Sequence, residues 1–263
     1  MTHSLLPKGN AALQGELWGA RAADWADHEP QYAALYEAAI ARLRIGEGTR
    51  VLDVGCGSGV FLRAAVDRGA TACGLDASAP MVEHALERVP EADIRVGDLQ
   101  FLPYEDDAFD VVTAFSSFWF ADDPVAALRE ARRVTRPGGR VFLLVFGRPE
   151  HCQLGPAIGA VTALLADPPR NKFDFHAPGV LEEMASAAGL EPREAGDLVN
   201  ELAWPDDVTM VRHLLSPGSF VHATREVGEA AVRDAIVVAM APFRSPGGGY
   251  RVQNEWRYLV AAA

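Results

Sequence analysis

Residues 51–59 read Val-Leu-Asp-Val-Gly-Cys-Gly-Ser-Gly, an apolar strand that runs into a glycine-rich turn and, from Val60, into an amphipathic helix. Glycines at 55, 57 and 59 permit positive φ and let a ligand approach the main chain, while the start of the helix presents unpaired amides. This is the layout of a nucleotide cradle. The dinucleotide fingerprint Gly-x-Gly-x-x-Gly would require glycine at 60, and Val60 stands there instead. Asp53 places a carboxylate where a pyrophosphate would be repelled and an ammonium group welcomed. These residues point to a zwitterionic nucleoside rather than NAD; the plainer role for Asp53 is to pin its own turn. Asp76 ends the next strand 17 residues after Gly59, where an acidic side chain accepts both ribose hydroxyls. Its plainer role is to start the turn into Ser78-Ala79-Pro80.

The elements that must position these groups alternate. Residues 50–55, 70–76, 93–97, 109–117 and 140–147 are short, nearly continuous apolar runs, which suits strands buried on both faces of a parallel sheet. Helices are predicted between them at 60–68, 80–88 and 124–135. Ser78 and Asp123 cap the last two, each followed within the first turn by a proline, and Pro137-Gly138 stops the third. Before this core, residues 13–43 read as two helices broken near Glu29-Pro30, with Trp18, Trp25, Tyr32 and Tyr36 at roughly helical spacings. Those aromatics either pack against the sheet or form a lid. After it, helices are predicted at 153–166, 178–188, 206–215 and 226–241, with strands at 194–203 and 250–260.

The motif 51–59, then Gly74-Leu75-Asp76-Ala77-Ser78, Gly97-Asp98-Leu99-Gln100-Phe101-Leu102-Pro103, Phe109-Asp110-Val111-Val112 and Arg136-Pro137-Gly138-Gly139-Arg140 follow one another in order. Together they resemble the class I S-adenosylmethionine (SAM)-dependent methyltransferases, in particular the type 11-like small-molecule branch, over residues 45–147. The resemblance implies an α/β fold: a Rossmann-like, doubly wound, mostly parallel seven-stranded sheet with an antiparallel edge strand, the last two strands forming that edge, and a helical cap. It divides a single domain into an N-terminal helical lid at 1–45, a SAM-binding core at 46–147, and cap helices with the last two strands at 148–263. It implies SAM as cofactor and S-adenosyl-L-homocysteine as product.

Under the resemblance, Asp53 and the turn Gly55, Cys56, Gly57, Ser58 and Gly59 hold the methionine moiety, and Asp76 holds the ribose. Ala77, Ser78 and Met81 flank ribose and adenine. Beyond Gly97, the Asp98 carboxylate accepts from the adenine amine and the Leu99 amide reaches a ring nitrogen, with Gln100 alongside; the plainer role for Asp98 is a solvated loop acid. At the end of the fourth strand, where open α/β sheets bind ligands, Phe115 and Ser116 border the methionine end. Ser117, Phe118 and Trp119, with Trp18 and Trp25, are the candidate acceptor-binding residues. A buried aromatic cluster is the alternative for Phe118 and Trp119. Transfer from a sulfonium needs alignment in a dry pocket more than a catalytic triad. His151 and His176 are the candidate general bases, although a histidine is more often a surface or packed core residue.

The 263 residues carry a net charge of −12, which argues against nucleic acid or an anionic membrane as partner and fits a small neutral or cationic acceptor. Three cysteines without C-x-x-C spacing leave one unpaired in any scheme, the usage of a reducing cytoplasm. No apolar run is long enough to cross a bilayer. The seven histidines form no metal pair, and no metal is expected. A monomer or homodimer that methylates an O, N or C centre of a small molecule is the leading reading. The alternatives are a fold relative that uses the same pocket for a cyclisation, and a non-catalytic SAM-binding protein.

Overall fold

The computed structural model describes residue 7, residues 9–168 and residues 174–263. Helices α1 (Gly9–Gly19), α2 (Ala22–His28) and α3 (Ala33–Leu43) precede the sheet, with a 3-10 turn at Glu29–Tyr32 between the last two. The core follows as β1 (Arg50–Val54), α4 (Val60–Val66), β2 (Thr71–Asp76), α5 (Ala79–Arg88), β3 (Asp93–Val96), β4 (Phe109–Phe115), α6 (Pro124–Val134) and β5 (Thr135–Phe146). Then come α7 (Gly155–Thr162), α8 (Val180–Ala187), β6 (Glu191–Trp204), α9 (Asp207–Leu214), α10 (Gly218–Val227), α11 (Glu229–Met240) and β7 (Tyr250–Ala262).

The seven strands form one sheet in the order β3-β2-β1-β4-β5-β7-β6. β1 to β5 pair in parallel. β7 is the reversed strand, pairing antiparallel with β5 on one side and with β6 on the other. The antiparallel pairing thus falls at the expected end of the sheet, with β7 one place in and β6 forming the edge. The order in which strands are added reverses between β1 and β4, because the chain winds outward from β1 to β3 and then returns across to β4, which still runs parallel to β1. That reversal opens a crevice at the carboxyl ends of the strands, the place where such sheets take ligands.

Alternation along the central strands feeds two cores, one on each sheet face. Val51, Val111 and Phe142 join α3, α4, α5 and the later helices; Leu52, Val54, Val112 and Leu143 join α6 and α8. Capping follows the sequence. The Ser78 hydroxyl accepts from Met81 N at the start of α5, and the Asp123 carboxylate accepts from Val125 and Ala126 N at 3.0 and 3.1 Å at the start of α6.

Three local differences from expectation have physical causes. The N-terminal segment makes three helices rather than two, because the chain also breaks at Ala20-Arg21, where Arg21 leaves the helical region with φ −134°. β5 starts at Thr135, as α6 runs directly into extended chain that pairs Thr135 with Phe109 before a register shift. α10 is an additional helix. Its opening Ser216-Pro217-Gly218 has the composition of a turn, but Phe220, Val221 and Ala223 are buried, and α10 packs on α1 and α11. Gly218 permits this: a Cβ there would lie 2.9 Å from the Trp18 ring.

No helix among the described residues is long and apolar enough to cross a membrane.

Candidate active site

The glycine turn sits at the carboxyl ends of β1 and β2. Gly55, Gly57 and Gly59 have φ of +80°, +52° and +81°, the left-handed region that glycine adopts at no steric cost. Gly55 is also fixed by space, since a Cβ there would lie 2.3 Å from Ser117 Cβ. Cys56 is buried, its sulfur against Gly74, and burial pushes its thiol pKa well above the ordinary value. The turn is tied to β2 by Gly55 N and Cys56 N, which both donate to Leu75 O.

Asp53 is 2 % exposed and does not pin its own turn. Its Oδ1 accepts from Thr113 Oγ1 at 2.7 Å, a bond to the neighbouring strand β4. Burial raises its pKa to about 8; the Thr113 bond opposes the shift, and the Glu29 and Asp76 carboxylates add to it. Asp76 starts its own turn and also ties it to the glycine turn. Oδ1 accepts from Ser78 N at 2.8 Å, starting the turn into α5, and Oδ2 accepts from Gly57 N at 3.0 Å, reaching back to the glycine turn. Burial raises its pKa to about 6 against those backbone bonds, and Glu29 again adds to the rise.

Glu29 is the site residue that sequence reasoning missed. It is 3 % exposed, and its Oε2 accepts from Ser58 N at 2.8 Å, Ser58 Oγ at 2.6 Å and Trp25 Nε1 at 3.1 Å. Its Oε1 accepts from Tyr36 OH at 3.1 Å. Burial pushes its pKa up. Next to Pro30 it reads as a helix-break residue, and its role lies 29 positions away in sequence; the one available signal is an acidic residue spaced one helical turn from both Trp25 and Tyr32.

The N-terminal helices lie directly on this region. A Cβ on Gly15 would sit 2.2 Å from Ala77 O, and one on Gly19 would sit 2.9 Å from Ser78 Oγ. Ser78 and Met81 are buried, the former engaged as the α5 cap. Trp18 and Trp25 meet edge to face at 4.9 Å, and Trp25 stacks on Tyr32 at 5.8 Å. Tyr32 and Tyr36 are buried in the core, so this aromatic group both packs on the sheet and covers the turn.

Beyond β3, Gly97 closes against Leu75, where a Cβ would lie 2.7 Å away. Asp98 is half-buried; burial raises its pKa while its Oδ1 accepts from Gln100 N at 2.9 Å. The Gln100 side chain accepts from Asp123 N at 2.7 Å, tying this loop to α6. Leu99 borders a small apolar cavity of about 10 Å³ shared with Val54 and Phe118.

At the end of β4 the chain kinks. Ser116 has φ +54°, uncommon for a residue with a side chain, and its hydroxyl is buried with no hydrogen-bond partner. A strained residue with an orphaned polar atom at the end of a central strand is a candidate functional position. Phe115 turns into the core against Tyr36 and Phe61, both at 4.8 Å. Ser117 donates to Val54 O, which holds its hydroxyl toward β1. Phe118 is 2 % exposed and meets Phe175 edge to face at 5.6 Å, inside the second core. Trp119 lies partly buried against Phe120 and Phe175.

Both candidate histidines stand at the carboxyl end of β5. His151 Nδ1 is 2.7 Å from Glu255 Oε2, and Glu255 is held near a pKa of 2 chiefly by the Arg148 guanidinium. His176 Nδ1 is 3.0 Å from Phe146 O. A carboxylate and a carbonyl accept only, so each neutral imidazole carries its proton on Nδ1 and keeps a lone pair on Nε2. No group of three His, Cys, Asp or Glu side chains among the described residues could hold a metal ion.

The reversal of strand order, the glycine turn and the buried carboxylates around it define a doubly wound α/β protein with a candidate site at the carboxyl ends of its strands. Residues 52–143 match the methyltransferase domain family. Over 186 residues the chain is 33 % identical to the ubiquinone biosynthesis O-methyltransferase of Pseudomonas entomophila, covering 65 % of this chain and 79 % of that protein. This chain belongs to the class I SAM-dependent methyltransferases and is an enzyme of that family. Among solved structures, a chain from the complex of the Haloferax volcanii Trm112 methyltransferase activator with a putative methyltransferase aligns with TM-score 0.62 at 23 % identity, over 98 % of this chain and 99 % of that one. The 4+2 cyclase SpnF aligns with TM-score 0.55 at 21 % identity, over 87 % and 79 %. These two likenesses are of fold.

Proposed function

We propose that the protein binds SAM at the carboxyl ends of β1, β2, β3 and β4 and transfers its methyl group to an oxygen, nitrogen or carbon of a small molecule. The observation that carries this reading is the pairing of a glycine cradle with two buried carboxylates, Asp53 and Asp76. Neither forms an ion pair among the described residues. A phosphate would be repelled there, and a cation would relieve the desolvated acids. The residues fit the cofactor in a second respect: side chains at 55, 57 or 59 would collide with Ser117, Glu29 or Ala85, so the turn keeps a bare backbone, and the Ser116 hydroxyl beside it lacks a partner.

When bound, SAM supplies a methyl group already activated on a sulfonium. The turn from Gly55 to Gly59 would orient the methionine end through its amides, Asp76 would accept from the ribose hydroxyls, and Asp98 and Leu99 would meet the adenine edge. Ser116 would face the reacting end. The chain's main work is then alignment and exclusion of water. We assign residues 1–45 as a helical lid, 46–147 as the cofactor core and 148–263 as the acceptor cap, all within one domain; residues 1–6, 8 and 169–173 of these spans lie outside the described residues. Trp18, Trp25 and Trp119 are the candidate acceptor-facing aromatics. The O-methyltransferase relative supports an oxygen acceptor. For such an acceptor His151, oriented by Glu255 through Nδ1, would take the hydroxyl proton on Nε2. The net charge and three free cysteines support a small-molecule enzyme of the cytoplasm.

The test is calorimetry with SAM, S-adenosylhomocysteine and NAD, followed by incubation of methyl-labelled SAM with phenolic and amine acceptors. Binding of SAM and its product in the micromolar range with transfer of label is expected. Tight NAD binding without SAM binding would overturn the reading, and SAM binding with no transfer to any acceptor would favour the cyclase or non-catalytic alternative.

A further inference from the structure

The N-terminal segment delivers one carboxylate into the glycine turn, and the turn's own chemistry gives no reason for it to be charged. Glu29 Oε2 accepts three hydrogen bonds, two of them from Ser58, and Oε1 accepts one, from Tyr36 OH. A neutral amide could accept the same bonds from the amide, hydroxyl and indole. The guanidinium that acts on Glu29, Arg88, is engaged elsewhere: it donates to Ser58 O at 2.6 Å, to Ser58 Oγ and to Ala26 O. Glu29 is therefore a buried carboxylate with no ion-pair partner among the described residues, placed so that a Cβ on Gly57 would lie 3.0 Å from its Oε2. Such an acid is costly to ionise there unless a cation arrives.

We propose that Glu29 is a specificity-determining residue for the cofactor's cationic amino-acid end, supplying from the N-terminal segment the negative charge that the Gly57-Ser58 turn lacks. The proposal deepens the SAM reading and rests on it. Three features of the geometry carry it. Glu29 touches the turn at Ser58 N and Oγ, at the part of the cradle where an amino-acid moiety would lie. Oε1 has a single donor, so it retains an open acceptor lobe. Both oxygens of Asp76 are engaged, by Gly57 N and Ser78 N, so Glu29, beside the singly bonded Asp53, is the carboxylate that the N-terminal segment adds to the turn with acceptor capacity for an ammonium group. In this arrangement docking of the N-terminal helices and recognition of the amino-acid end are one event, because the same side chain performs both.

The experiment compares S-adenosylhomocysteine with 5′-methylthioadenosine, which keeps the adenosine and thioether and lacks the amino acid. Calorimetry on the full chain gives both affinities for the wild type and for Glu29→Gln, whose amide preserves the size and the bonds to Ser58. A charge-assisted hydrogen bond predicts that the variant loses about tenfold or more in S-adenosylhomocysteine affinity and keeps its affinity for 5′-methylthioadenosine. Equal loss of both ligands would mean that Glu29 only holds the fold, and no loss of either would remove it from recognition; both outcomes overturn the proposal. Should Glu29→Gln fail to fold, Trp25 reports on the wild-type site, since its indole donates to Glu29 Oε2. The emission change assigned to Trp25, by difference from Trp25→Phe, should appear with S-adenosylhomocysteine and not with 5′-methylthioadenosine. The same response to both ligands, or to neither, would overturn the proposal. If the wild type bound neither nucleoside, the SAM reading itself would fall, a result distinct from all of these.

Discussion

Asp53 makes the unliganded protein sensitive to mildly alkaline pH, and the size of the effect follows from its environment. Its carboxyl titrates near pH 8 in the folded protein against an ordinary value of 3.8, because burial disfavours the anion and the neighbouring acids Glu29 and Asp76 reinforce this. A group whose folded pKa is raised binds its proton more tightly folded than unfolded. Its contribution to stability is complete below pH 3.8 and is lost as pH rises through 8. Between pH 7 and pH 9 the folded group goes from about nine-tenths protonated to about one-tenth, while the unfolded group stays ionised, so this side chain alone removes about 1.4 kcal/mol over that interval. Asp76, which titrates near pH 6, has already lost most of its proton at pH 7 and adds little there. Asp53→Asn keeps an acceptor for Thr113 and cannot ionise. Urea unfolding of wild type and variant at pH 7 and 9 should show the wild type losing about 1.4 kcal/mol more than the variant. Thiols and tyrosines that titrate at the upper end are common to both proteins and cancel in the difference. Equal pH dependence in the two proteins would refute the argument that Asp53 is a desolvated acid awaiting a cation. If the argument holds, SAM binding to the wild type at pH 7 releases protons, seen as a heat that changes with the ionisation enthalpy of the buffer.

Three further outcomes follow from the same geometry. Asp76→Ala should weaken SAM binding by about 1–3 kcal/mol in calorimetry while the circular dichroism spectrum is retained, because charged acceptors for the ribose and for Gly57 N are removed together. Gly55→Ala combines a φ of +80° with a Cβ 2.3 Å from Ser117 Cβ, so thermal unfolding should report a loss of at least about 1–2 kcal/mol and cofactor affinity should fall with it. Substitution of Trp18 to Ala, or of acceptor-cap positions within 174–245, should lower acceptor kcat/KM more than SAM affinity; a proportional loss of both would dissolve the division between core and cap.

What could be read from the sequence and what could not divides by the range of the interaction. The glycine turn, Asp76 and the caps at Ser78 and Asp123 are local devices, each defined by a few consecutive residues, and all appear where their spacing put them. Phe118 and Ser117 illustrate the limit. A strand-end run of Ser-Ser-Phe-Trp-Phe announces a site, but which side chain turns outward depends on the left-handed kink at Ser116, and that kink sends the Ser117 hydroxyl to Val54 and Phe118 into the second core. α10 was illegible because its amphipathic face is rewarded only by α1 and α11, elements far away in sequence. Glu29 was illegible for the same reason in sharper form. Its local partners Trp25 and Tyr36 ask only for an acceptor, and Ser58 meets it only when the N-terminal segment folds back over β1. On the proposed reading, the cofactor grip is thus only partly a property of the motif-bearing core. Glu29 supplies a buried charge, and Gly15 and Gly19 let α1 approach the Ala77-Ser78 segment to contact distance. A segment that accepts the helix cost of an interior glycine at Gly15 to lie against Ala77 is shaped by the loop it covers, and on the proposed SAM reading its docking is part of recognition rather than a later step.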